Sequence, residues 1–190
     1  MICFRRAIEE KARINHYWNT KSPPGAQRTP LQLAAGKGQL QTVQLLLDSG
    51  AGPNDPPAHM HGRTALQATA ACEIPNMELV KHLLVHGAVI NAAPVASGGI
   101  TALQGAAIRG HINIAQMLIE NGAEVNALPA LKDGRTAIEG AAEHGQLDIV
   151  QMLLNAGATG DVVGNKRFAL AIELARQNHH FQRVELLESQ

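Results

Sequence analysis

An internal repeat limits the possible folds of this chain more than any other feature of its sequence. A block of Thr, then Pro or Ala, an aliphatic residue and Gln or Glu occurs four times, at Thr29-Pro-Leu-Gln32, Thr64-Ala-Leu-Gln67, Thr101-Ala-Leu-Gln104 and Thr136-Ala-Ile-Glu139. Successive threonines are 35, 37 and 35 residues apart. Such a period is typical of solenoids, in which each unit buries its apolar face against its neighbours.

Each block has the pattern of a helix beginning. Thr followed three residues later by Gln or Glu predicts a capping box, because the hydroxyl and the longer side chain each accept from a backbone amide of the first turn. Pro30 lies at the first helical position, where an amide is not needed. We expect these Ala-rich helices to end near Gly38, Gly110 and Gly145, since glycine adopts the left-handed conformation at little cost.

A second, more apolar block follows each of these helices. It occupies residues 40–47, 77–84, 112–119 and 147–154, with apolar residues at the spacing of one helical face. Helices this short are not stable alone, so the pairs must stack, and alanine between pairs permits close approach. In the second unit Pro75 stands where a helix-ending glycine is expected, and two extra residues lengthen the spacing there.

Composition excludes several classes of protein. The chain is 45% hydrophobic but only 3% aromatic, which suits close helix packing better than a deep pocket. Its 16 basic and 16 acidic residues balance, so we expect no nucleic-acid or membrane partner. Cys3 and Cys72 cannot form a disulfide framework, and neither a secretory signal nor a membrane-spanning run is visible. We expect an intracellular protein, cytoplasmic or nuclear, without a cofactor.

The repeated block resembles the ankyrin repeat, whose signature is Thr-Pro-Leu-His-x-Ala at a period of 33 residues. The resemblance covers residues 29–187, although the histidine of the signature is Gln32, Gln67, Gln104 or Glu139. Ten residues separate Asn54, Asn91 and Asn126 from the next Thr, which resembles the long-finger repeats of fungal ankyrin arrays. The resemblance implies an all-α ankyrin-repeat solenoid of stacked helix–turn–helix pairs with extended finger loops.

The repeat also predicts the organisation of the chain. We expect four repeats at 29–63, 64–100, 101–135 and 136–169, with an N-terminal capping helix and first finger at 1–28 and a C-terminal capping repeat at 170–190. Phe4, Ile8 and Ala12 lie on one helical stripe, and a disordered leader is the alternative for this segment. Arg176 and Arg183 replace apolar positions of the other units, as expected at the end of a stack.

What the resemblance implies about function is a concave groove that holds a partner protein. Carried over by position, the groove includes the first-helix ends Lys37, Cys72, Glu73, Ile108, Arg109, Glu143 and His144. The fingers add His59, His61, Arg63, Leu131, Lys132 and Arg135, with Met60, Val95 and Ile100 beside them. Arg and branched apolar residues are common in protein interfaces. We expect a monomer that binds another protein and has no catalytic residue.

Two alternatives remain open at this point. The chain could be an atypical enzyme that uses His61, Glu73, Arg109 or His144 for acid–base work, or a structural spacer. A closed pocket of about 300 Å³ or more, lined by histidines and carboxylates, favours the enzyme. A spacer has no contiguous apolar patch along its fingers.

Two histidine features have simpler explanations. His59 and His61 are too few ligands for a structural zinc site, so we predict no metal site. His82 stands where the other units have Leu45, Met117 and Met152. We expect a hydrogen-bonded core histidine there, and a polar spot facing a partner is the alternative.

The capping argument predicts the effect of a deletion. Removal of residues 170–190 is expected to uncover the alanine seam of the preceding unit and to promote aggregation. Size-exclusion chromatography and thermal unfolding of the shortened chain measure this. Unchanged solubility and melting would contradict the assignment of a cap.

Overall fold

The structure, a computed structural model, describes residues 28–158, and this part of the chain is built from eight helices and no strand. The helices form four successive pairs. The first helices are α1 (Pro30–Gly36), α3 (Ala65–Ala70), α5 (Ala102–Arg109) and α7 (Ala137–Glu143). The second helices are α2 (Leu40–Asp48), α4 (Met77–Val85), α6 (Ile112–Glu120) and α8 (Leu147–Asn155). The predicted all-α solenoid of helix pairs is confirmed.

All four predicted capping boxes are present. In α3, for example, Thr64 Oγ1 accepts from the amide of Gln67 at 3.3 Å, and Gln67 Oε1 accepts from the amide of Thr64 at 2.9 Å. Pro30 lies in the first turn of α1, as predicted. Each first helix therefore begins at a position that its own sequence fixes.

The same glutamine side chains also hold the fingers. Gln67 Nε2 donates to the carbonyl of Ala92 at 2.8 Å, and Gln104 Nε2 donates to that of Ala127 at 3.1 Å. Both side chains are buried. An amide can accept at the helix and donate to the finger, which explains how glutamine serves at the position of the signature histidine.

The ends of the first helices follow the glycine prediction in three units. Gly38, Gly110 and Gly145 have φ angles of 68°, 78° and 72°. The second unit differs as expected, because residues 71–76 form an irregular segment in place of a glycine turn. This segment ends at Asn76, whose side chain accepts from the amide of Leu79 at 3.0 Å and caps α4.

Close packing of the first helices builds the core. Ala35, Ala70, Ala107 and Ala142 are completely buried along this seam. Both helices of each pair contribute larger aliphatic residues, and the buried residues form one cluster that extends from Leu31 to Ala158. Neighbouring units therefore share their core, as the argument from helix length predicts.

Asparagine side chains join one unit to the next. Asn54 Nδ2 donates to the carbonyl of Gly87, and Asn54 Oδ1 accepts from the amide of Val89, both at 2.8 Å. Asn91 makes the equivalent pair of bonds to Gly122 and Glu124 at 2.9 Å. Because each bond crosses a repeat boundary, it holds the spacing between units.

Some predictions lie outside residues 28–158. These are the capping helix with Phe4, Ile8 and Ala12, the terminal repeat with Arg176 and Arg183, and the outer parts of the proposed boundaries. Over the described residues, none of the helices combines the length and the hydropathy that crossing a membrane requires.

The double role of the capping glutamine can be tested by Gln67→Met. We expect the free energy of unfolding to fall by about 2 kcal/mol, because the amide of Thr64 and the carbonyl of Ala92 both lose a buried partner. Urea denaturation followed by circular dichroism measures the change. The control is Gln41→Met on the exposed face of α2, which we expect to change stability by less than about 0.5 kcal/mol. Equal losses in the two variants would contradict the assignment.

Candidate functional site

The finger loops form a tied row rather than separate loops. Isolated β-bridges link Met60 to Ser97 and Ser97 to Lys132, so three successive fingers are joined. The amide of His61 donates to the carbonyl of Ser97 at 3.0 Å, and the amide of Lys132 donates to the carbonyl of Ala96 at 3.0 Å. These bonds hold the finger tips at fixed separations.

A tight turn shapes each finger before the next capping Thr. His61, Gly98 and Asp133 occupy the equivalent turn position, with φ angles of 50°, 64° and 57°. The glycine that follows is required by close approach, since a Cβ at Gly134 would overlap the backbone of Ala130. The turn leaves the finger-tip side chains, such as those of Met60 and Leu131, exposed to solvent.

Several predicted finger residues are exposed. Leu131 is 90% exposed, and the neighbouring residues of the set are also open to solvent, namely His59, Met60, His61 and Lys132. Ile100 is different, because only 9% of it is exposed. The prediction that Ile100 lies on the groove surface is wrong, because its side chain packs against Gly105 of α5.

An open cavity of about 440 Å³ lies between the first-helix ends and finger bases of the first three units. Four cationic residues line it, namely Arg28, Lys37, Arg63 and Arg109. Glu73 is the one carboxylate among the described residues of the lining. The volume exceeds the threshold that would favour an enzyme. The lining does not favour an enzyme, because the described residues around the cavity include no histidine, and His61 and His144 lie elsewhere.

Arg63 is the most constrained cation of this cavity. Its side chain is half-buried, and Nε is buried without a hydrogen-bond partner among residues 28–158. Burial lowers the pKa of Arg63, and the positive charges of Arg28 and Arg109 lower it further. Three guanidinium groups thus line one cavity, and none of them forms an ion pair with a carboxylate among residues 28–158.

Arg109 and Cys72 also line the cavity, and each forms a hydrogen bond to a backbone carbonyl. Arg109 is exposed, but its Nε donates to the carbonyl of Ala71 at 3.1 Å. Cys72 lines the cavity but is only 5% exposed, and its thiol donates to the carbonyl of Ile74 at 2.8 Å. Burial raises the pKa of Cys72, which keeps the thiol protonated at neutral pH.

The predicted residues around α7 lie apart from the cavity. Arg135 Nε donates to Glu143 Oε2 at 2.9 Å, forming a half-buried ion pair. His144 Nδ1 donates to the carbonyl of Gly140 at 3.0 Å, which caps the end of α7. Ile108 packs over Gly140, where a Cβ would meet its side chain. The structure therefore divides the predicted set into exposed finger residues, a cationic cavity and an internally paired group around α7.

The other histidines are arranged as follows. Within residues 28–158, no three His, Cys, Asp or Glu side chains come close enough to hold a metal ion, and this includes His59 and His61. Nε2 of His82 is buried and has no partner in the described part of the chain, so the expected hydrogen bond is absent at that atom. The ring instead lies 4.5 Å from that of His86.

Arg28 is the cavity residue that the sequence prediction missed. It was placed in the N-terminal segment rather than in the groove, although it precedes Thr29 as Arg63 precedes Thr64. Comparison of equivalent positions between units is the signal that would have found it. The exposed Ile74 at the rim was also missed, because it lies in the irregular segment 71–76.

Comparison with known proteins gives two findings. A family model described as ankyrin repeats (3 copies) matches residues 3–93 and 69–164, beginning ahead of the first predicted repeat. A probable E3 ubiquitin-protein ligase, XBOS32 of Oryza sativa subsp. japonica, is 32% identical over 114 residues. These residues are 60% of this chain and 21% of that relative, so the match spans about a fifth of the relative.

The environment of Cys72 predicts slow alkylation. In a Cys3→Ser background, which leaves Cys72 as the only cysteine, we expect iodoacetamide to react much more slowly with folded than with urea-unfolded protein. The rise of the alkylation rate with pH should occur at higher pH in the folded protein, because burial disfavours the thiolate and raises the pKa of Cys72. Arg109→Gln should move it higher still, since the positive charge of Arg109 lowers this pKa.

Mass spectrometry of the alkylated protein as a function of pH provides the measurement. A folded profile at or below that of the unfolded protein would overturn this description of Cys72.

Proposed function

This chain belongs to the ankyrin-repeat family, and from that premise we propose that it is a non-enzymatic recognition module that holds a partner protein. Ankyrin repeats are generally protein–protein interaction modules. In this proposal the finger tips and the cationic cavity are two parts of one binding surface.

The tied row of fingers carries this proposal. Backbone hydrogen bonds from residues 96–98 to the two neighbouring fingers fix the tips before a partner arrives. A surface that is already ordered loses less conformational entropy on binding. Exposed aliphatic residues at the tips and arginines at the bases have the composition of an interface in which a few anchors supply most of the free energy.

The enzyme alternative has less support. Glu73 and Arg109 of the acid–base set share the cavity, but His61 and His144 do not line it. The buried thiol of Cys72 has a raised pKa, which is unfavourable for a nucleophile. Ankyrin repeats are also typically non-enzymatic.

The partner, state and location of the chain complete the proposal. The balance of 16 basic and 16 acidic residues favours a protein partner over a nucleic acid. We expect the chain to act as a monomer in the cytoplasm or nucleus. Because the matched segment covers 21% of the rice relative, ligase activity is no part of the proposal.

Two surface variants test this function. Arg109→Glu at the cavity and Leu131→Asp at a finger tip should each reduce partner capture by about tenfold, as expected for interface anchors. The matched control is Val85→Asp, which places the same charge on an 82% exposed aliphatic position of a second helix. Quantitative mass spectrometry of cross-linked partners measures capture, and circular dichroism confirms the fold of each variant.

Retention of every partner by both variants at the level of Val85→Asp would contradict the proposed surface. Loss in all three variants would also contradict it, because the finger side would then have no special role.

A further inference from the structure

Two positions of the repeat, eight residues apart, form a recurring pair. The first precedes the capping Thr and the second lies at or next to the end of the first helix. When the first position is counted with the first helix that follows it, the pairs from the first described unit to the fourth are Arg28 and Gly36, Arg63 and Ala71, Ile100 and Ile108, and Arg135 and Glu143. The sequence therefore repeats the position while changing the chemistry of its occupants.

The fourth unit shows what an arginine at this position does when an acid is available. Arg135 Nε and Glu143 Oε2 are 2.9 Å apart, and both side chains are about one-third exposed or less. Charged hydrogen bonds between guanidinium and carboxylate are among the strongest polar contacts in proteins. In the third unit two isoleucines replace the ion pair, so neither charge is present.

The first two units keep the arginine and lack the acid. Gly36 and Ala71 stand where the fourth unit has Glu143, and no carboxylate of the described residues pairs with Arg28 or Arg63. Arg63 Nε is buried without a partner in this part of the chain. Because the Arg63 side chain is half-buried, water screens its charge less than at an open surface, so a carboxylate that reaches this guanidinium from the cavity gains more there.

The cavity gathers these unpaired charges. Arg109 and Lys37 join the two arginines around its volume of about 440 Å³, and Glu73 is exposed and forms no ion pair with a described residue. The formal net charge of the whole chain is zero, so this local excess of positive charge is a property of the site. Leu33 and Ile74 add partly exposed aliphatic surface at its edge.

We infer that this cavity receives an aspartate or glutamate side chain of the partner protein, which supplies the carboxylate that Glu143 supplies in the fourth unit. The inference rests on the proposed function, since it names the chemistry of the partner. The carboxylate oxygens accept from Arg63, and the adjacent cations stabilise the charge. The aliphatic edge favours an acidic residue that has an apolar neighbour.

A fluorescein-labelled hexaglutamate peptide is the probe, with hexaglutamine as its uncharged counterpart. Fluorescence anisotropy with the complete 190-residue chain measures affinity. We expect binding of hexaglutamate only, and Arg63→Gln should weaken it by about tenfold or more, the scale of one charged hydrogen bond. Lys81→Gln removes the same charge from a second helix, where Lys81 pairs with Glu78, and should change affinity by less than about twofold.

A second variant restores the missing acid within the chain. Gly36→Glu places a carboxylate beside Arg28 in the register of Glu143 and should weaken the binding of hexaglutamate by about tenfold relative to Gly36→Gln. The site tolerates both changes, because a Cβ at Gly36 meets only Ala68 Cβ at 3.7 Å. Circular dichroism of the four variants verifies that they remain folded.

Absence of hexaglutamate binding, equal losses in Arg63→Gln and Lys81→Gln, or equal affinity of the two Gly36 variants would each overturn the inference. Inorganic phosphate that displaces the peptide at lower concentration than glutarate would overturn the choice of a carboxylate. If the peptide fails to bind while partner capture still depends on Leu131, the inference alone fails. Peptide binding without any captured partner leaves the carboxylate site in place and removes the proposed function.

Discussion

The buried side-chain amide at the start of each of the first three units is the interaction on which the rest of this structure depends. Its oxygen completes the capping box, and its nitrogen donates to the base of the finger that follows, as in Gln67 with Thr64 and Ala92. One side chain therefore fixes both where the helix begins and where the loop leaves the stack. With these two points fixed, the alanine seam packs closely and the finger tips meet their neighbours in register.

Most of the fold could be predicted because its signals are local. A capping box needs two residues three positions apart, and a helix end at Gly110 needs one glycine. For the fingers, the sequence predicted the length but not the bridges between them, because the bridges of Ser97 depend on the register between units. Ile100 was assigned incorrectly for the same reason, since its side chain is buried near Gly105 of the next first helix, which a single repeat does not reveal.

The candidate site was predicted residue by residue but not as an arrangement. Position in the repeat identified Arg63 and Arg109, yet it did not show that Arg28 joins them or that Arg135 is already paired within its own unit. Whether a charge is satisfied depends on the residue eight positions later and on the packing of the next unit. Surface charge in a repeat protein is therefore best compared between equivalent positions before a binding role is assigned to any one residue.

The asparagine bonds between units have a consequence for how such a chain can change over evolutionary time. Asn54 and Asn91 each bond to the turn after the second helix of the next unit. The groups bonded in that turn are backbone groups, which almost any sequence provides. Duplication or loss of a whole unit would preserve these bonds on both sides. Such an array can grow or shrink by entire modules, while substitutions at Arg28 or Arg63 alter the charge that a single module contributes to its surface.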